Sequence, residues 1–232
     1  MNTHPRNAGF TLVELMVVIG LIGLLLVFAI PTFQAATRGG NLRTAVFQLN
    51  SALSLGRQTA ITSRQVVHVL FPDDAAPLYS GDNRAHVEKA FRAFALHGSR
   101  DGYMGEWHML PPSVVFEPDL GTQADPYPRN MFNLEHSPGN FIYMTSLADG
   151  VRFPDNDGDV VEMFALVFRA DGTMSGGSVQ PTVYLAEGWT EYDVETGTLN
   201  NLAVHDHLPL RGITFNAITG QSMIREFDAP NP

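Results

Sequence analysis

The chain has 232 residues, 44% of them hydrophobic, and a formal net charge of −10. That suits one globular domain plus an anchoring segment, and it disfavours a nucleic-acid partner, because phosphate binding needs basic patches. There is no cysteine, which excludes a disulfide framework and thiolate metal sites.

Met1 to Gly9 is a short polar leader with one base, Arg6, and no acid. Gly9-Phe10-Thr11-Leu12-Val13-Glu14 follows, and then Leu15 to Thr37 runs for 23 residues without a charge. As a helix this run spans about 34 Å, enough to cross a hydrocarbon core of about 30 Å. Glu14 stands at the mouth of that run, where an ionised side chain is costly and usually functional. A secretory signal peptide would need a small-residue cleavage site beyond the apolar core, for which Ala35-Ala36 is the candidate. A plain transmembrane anchor accounts for the apolar run but gives Gly9 and Glu14 no role.

A third reading is a resemblance. Gly9-Phe10-Thr11-Leu12-Val13-Glu14-Leu15, followed by Met16-Val17-Val18-Ile19, resembles the class III signal of type IV pilins and type II secretion pseudopilins. The resemblance implies that a prepilin peptidase cuts after Gly9 and that Phe10 becomes the N-methylated terminus. It also implies that the chain assembles with other pseudopilins through N-terminal helices and meets the membrane proteins of a secretion platform. The new terminal amine then carries a positive charge near the bilayer. Glu14, four residues on, lies in the first helical turn, where the dipole favours an acid, and in lipid its carboxylate needs a cationic partner. Two partners fit: the amine of a neighbouring subunit, as the family is thought to use, or the amine of the same helix.

Pro31 removes one backbone hydrogen bond and predicts a kink. Gly20 and Gly23 permit close helix approach in lipid, and Gly39-Gly40 is a place where the helix could loosen or end. Beyond it, Leu42, Val46, Leu49, Leu53 and Ala60, with Ala45 and Ala52, recur at helical spacing, while Arg43, Gln48, Arg57 and Gln58 are expected to face water. One helix from about Phe10 to Thr62 is predicted, with its second half laid on a sheet.

The period then shifts to two. Gln65–Phe71, Ser113–Phe116, Met163–Phe168 and Thr182–Ala186 read as strands, and Leu210–Phe215 with Gln221–Arg225 reads as a closing hairpin. Ala90–Leu96 is ambiguous between strand and short helix. Asp171-Gly172 is a hairpin signal. Phe164, Leu166, Phe168, Phe215 and Ile224 are the predicted core. One helix followed by many antiparallel strands is an α+β arrangement, a helix packed on antiparallel sheet. Trp107 with Leu110-Pro111, Phe168-Arg169-Ala170-Asp171-Gly172 and Thr219-Gly220 form an ordered set that resembles minor pseudopilins of the GspH/FimT type. Residues 73–140 look inserted against that pattern. The chain is thus read as leader 1–9, membrane or filament-core helix 10–37 and globular domain 38–232.

Asp155, Asp157, Asp159 and Glu162 form an acidic run. Hard cations such as Ca²⁺ take oxygen ligands of this kind, but the spacing is not that of an EF-hand. The alternative is a solvated turn whose Asx side chains bond backbone. His205-Asp206-His207 sets two imidazoles on one strand face with no third ligand in view. Tyr127, Phe132 and Tyr143, in or beside a Pro- and Asp-rich loop, suit either a partner surface or local packing. No nucleophile elbow or other catalytic spacing occurs, so an enzyme is not expected. By the resemblance the chain is a minor pseudopilin of type II secretion, held in a bacterial inner membrane by a single pass with its domain in the periplasm. A FimT-like pilus subunit, in pilus biogenesis or DNA uptake, is the alternative, followed by a tethered Ca²⁺-dependent adhesin or enzyme.

Overall fold

In the computed structural model the described residues are 12–72, 86–117, 151–161, 163–174, 182–193, 195–196, 198–205, 210–216 and 218–227; for 27–39, 210 and 227 only the backbone is described. The chain divides into two units, Met1–Gly40 and Asn41–Pro232. One α-helix, α1 (Leu12–Ser63), belongs to both. Its helical backbone runs on through Pro31 and Gly39-Gly40. The glycine pair does not end it, because Leu42, in the next turn, is already buried. The stop comes after Ser63, where Arg64 takes a left-handed φ of 51°.

In the second unit the predicted stripe is the buried one. Leu42, Ala45, Val46, Leu49, Ala52, Leu53 and Ala60 all lie in one core cluster. Fully burying each leucine contributes about 1.5–3 kcal/mol. Gly56 sits in the same stripe, where an added Cβ would stand 3.2 Å from Leu96 Cδ2 and 3.5 Å from Val69 Cγ2. The absence of a side chain therefore sets how close the helix lies to the strands.

Two antiparallel sheets share that core. The first contains β1 (Val67–Phe71), β2 (Ala93–Gly98), β3 (Gly102–Tyr103), β4 (His108–Met109) and β8 (Phe164–Phe168). β1 is central, with Val69 opposite Leu96 on one side and Leu166 on the other. The second contains β5 (Val114–Phe116), β9 (Thr182–Asp193), β10 (Thr198–Val204), β11 (Leu210–Phe215) and β12 (Ser222–Phe227), in the order β10-β9-β11-β12 with β5 also on β9. Val67, Val69 and Phe71 from the first sheet meet Val183, Leu185, Ile213 and Phe215 from the second in the cluster that holds the helix stripe.

The far face of the first sheet is covered too. A hairpin of β6 (Val151–Phe153) and β7 (Asp159–Val161) brings Val151, Phe153 and Val161 against Leu70 and Ala165. Burial on both faces explains why β1 and β8 read as near-continuous apolar runs rather than alternating ones.

Several boundaries differ from the sequence reading. Of the two alternatives for Ala90–Leu96 the strand is the one that forms, as β2 from Ala93, while a 3-10 turn at Val87–Lys89 precedes the stretch. Within the stretch expected to be an insertion, residues 93–116 supply strands to both sheets. β9 outruns its predicted end because β10 pairs with its second half, with a bulge between Leu199 and Asn201. Ile224 is 37% exposed rather than core, since β12 is the last strand in its sheet's order.

Arg57 does not simply face water. It is half-buried, and its Nε donates to the carbonyl oxygens of Gly172 (3.1 Å) and Thr219 (2.9 Å). Ser222 Oγ donates to Asn50 Oδ1 at 2.6 Å and ties β12 to α1.

Candidate assembly helix and the turns beside the first sheet

The first site is built from one feature of α1. Glu14 is in its first turn, and the residues around it are apolar on every side of the helix. Leu12 is 70% exposed, Met16 66% and Leu25 66%, with Val13, Leu15, Val17, Ile19, Leu21, Ile22, Leu24 and Leu26 also exposed. An added Cβ at Gly20 or Gly23 would meet nothing within 4 Å. A helix that is apolar all round is normally covered by protein or by lipid, and one carboxylate at its positive end is the only charge this segment offers. Among the described residues, no helix is long and apolar enough to cross a membrane. The described side chains of the apolar run stop at Leu26. Gly9 and Phe10 lie outside the described residues, as does the side chain of Pro31.

The acidic run falls in the turn between β6 and β7. Asp155 Oδ1 accepts from the Asp157 backbone N–H at 2.9 Å, an Asx turn. Arg152 Nη1 donates to the Gly158 carbonyl at 3.0 Å. The turn is fastened to the sheet from outside. Tyr103 Oη donates to the Arg152 carbonyl at 2.7 Å, the Tyr103 backbone N–H donates to Asn156 Oδ1 at 3.3 Å, and Trp107 Nε1 donates to the Pro154 carbonyl at 2.6 Å. Burial, and then the negative charge of Asp155, pushes the Tyr103 phenol well above its ordinary range. Asp155, Asp157 and Asp159 are exposed, and Glu162 lies outside the described residues. Among the described residues, no group of three or more His, Asp or Glu is placed to hold a metal ion. Asp206, His207 and the loop aromatics Tyr127, Phe132 and Tyr143 also lie outside them.

The sequence reading passed over two histidines. His68 on β1 and His97 on β2 are opposite each other in register. Burial, then the charge of His97, lowers the His68 pKa to about 4, against an opposing hydrogen bond to the His97 backbone; burial alone lowers His97. The available signal was a lone His in each of two apolar runs, Val67-His68-Val69 and Leu96-His97-Gly98. Nothing in either run says that the two pair.

Residues 4–30 match the prokaryotic N-terminal methylation motif. The N-terminal third of the chain is type IV pilin-like. It is 35% identical over 74 residues to the type IV major pilin protein PilE of Neisseria gonorrhoeae, an alignment covering 32% of this chain and 40% of that one. It is 44% identical over 52 residues to the type IV major pilin protein PilA of Myxococcus xanthus, covering 21% and 24%. A fimbrial protein of Pseudomonas aeruginosa is 32% identical over 66 residues, covering 28% and 43%. The chain thus spans less than half the length of these relatives. No solved structure matches it.

Proposed function

We propose that this chain is a minor pseudopilin of a type II secretion system, a structural subunit rather than an enzyme. In this reading a prepilin peptidase cuts between Gly9 and Phe10, and Phe10 is methylated. The apolar helix holds the subunit in the bacterial inner membrane with its domain in the periplasm. It then enters a filament with other pseudopilins, near the tip or at initiation, beside the membrane proteins of the secretion platform. The observation that carries the reading is Glu14 in the first turn of α1, among exposed apolar residues from Leu12 to Leu26 and inside the methylation motif. The carboxylate would find its counter-charge in the terminal amine of a neighbouring copy and set the axial stagger between subunits.

Mass spectrometry of protein from native membranes tests the processing. A mature start at N-methyl-Phe10 is expected; an intact Met1, or a start in the thirties, overturns it. Glu14→Val is expected to insert normally and to fall out of the filament. Wild-type incorporation of that variant would refute the intermolecular pairing.

The second reading, a minor pilin of a type IV pilus, is favoured by the names of the relatives, which are pilins and fimbrial proteins. Deletion separates the two, since loss of protein export supports the pseudopilin and loss of pili supports the pilin. A role as DNA receptor sits poorly with a net charge of −10 and is checked by gel shift with the full chain.

A further inference from the structure

The opposed pair His68 and His97 offers a chemistry that the assembly function does not use. The two ring centroids stand 6.0 Å apart with 53° between planes. His68 is only 3% exposed, and His97 is half-buried. The Nδ1 atoms of both are buried and have no hydrogen-bond partner. A buried nitrogen without a partner loses its solvation with nothing in return, and most buried polar groups in folded proteins are paired.

We propose that His68 and His97 form a two-imidazole binding site for a borderline divalent transition-metal ion, Cu²⁺, Ni²⁺ or Zn²⁺, with solvent completing the coordination. Imidazole nitrogen suits these ions, whereas Ca²⁺ and Mg²⁺ want oxygen. The spacing fits. A metal–nitrogen bond of about 2.1 Å puts the ion roughly 3.2 Å from each ring centre, so two rings at a tetrahedral angle stand about 5.3 Å apart. The observed 6.0 Å is a small ring adjustment away.

The surroundings also favour binding. β1 is central in its sheet and holds His68 rigidly between β2 and β8. His97 carries Tyr103 edge-on against it at 5.3 Å, which limits its rotation. Of the two residues, the half-buried His97 is the nearer to solvent. This site is separate in residues and in ligand chemistry from the acidic turn at Asp155, Asp157 and Asp159.

The test uses the full, untagged chain in detergent, stripped with chelator. Cu²⁺, Ni²⁺ and Zn²⁺ are added singly, with Mg²⁺ as control, while the melting temperature is followed. A rise of several degrees that saturates near one equivalent is expected for the transition metals alone. H97Q, altered at the half-buried member, should abolish it. Pulsed electron paramagnetic resonance of the Cu²⁺ form should report two coordinated imidazoles. Absence of a saturable rise overturns the site, as does a rise retained in H97Q, which would place the ion on other histidines such as His205. Should H97Q not fold, paramagnetic broadening by Ni²⁺ decides. Broadening of the Val167 methyls, opposite His68 in register, supports the site, and broadening confined elsewhere refutes it.

Discussion

The two ends of α1 obey different rules. Between Leu12 and Leu26 nearly every residue is apolar and every one is exposed. Between Asn41 and Ser63 apolar residues recur at i, i+3 and i+4, and that stripe is buried against two sheets. The second part finds its partners within its own chain. Among the described residues the first part is exposed, and an apolar surface of that kind is normally covered by lipid or by protein. Uniform apolarity reads as an intermolecular contract; amphipathic periodicity reads as an intramolecular one.

The sharpest way to break this comparison is to truncate a leucine in the second part. Leu49 is fully buried, and Leu49→Ala is expected to cost roughly 2–5 kcal/mol of stability, read as a drop in denaturation midpoint. Acid offers a second, reagent-free cut. The folded-state pKa of His68 lies near 4, below its ordinary 6.5, so the native state prefers the neutral ring. Its contribution is full above about pH 6.5 and is lost as pH falls toward about 4, for a total of about 3 kcal/mol. Metal-free H68Q should flatten that slope. Helicity from the first part of α1 should persist in detergent after the sheets have melted; its simultaneous loss would mean that the two parts are not independent. The smallest effect is the counterpart of the first. Leu21, 57% exposed, should change to Ala within about 0.5 kcal/mol in the isolated chain. A large loss there would mean that the segment folds onto its own domain.

How much of this was legible in the residues depends on the range of the interaction. The helix and its buried stripe were readable, because Leu42, Val46, Leu49, Leu53 and Ala60 announce themselves within a few turns. The apolar strands β1 and β8 and the closing pair β11 and β12 were readable for the same reason. The β6–β7 hairpin was not, because Val151, Phe153 and Val161 gain meaning only against the first sheet, whose Leu70 is distant in sequence although its Ala165 is near. The His68–His97 pair was invisible because strand register is a long-range fact. The role of Arg57 was misread because a guanidinium on a helix face looks solvated until two carbonyls arrive from distant loops.

Those two carbonyls have a mechanical consequence. Gly172 belongs to the turn that follows β8, in the first sheet, and Thr219 to the turn between β11 and β12, in the second. A single side chain on the helix therefore grips both sheets at once. Tension applied along the helix would be divided between the two layers at this rivet, so that neither is peeled away while the other still holds.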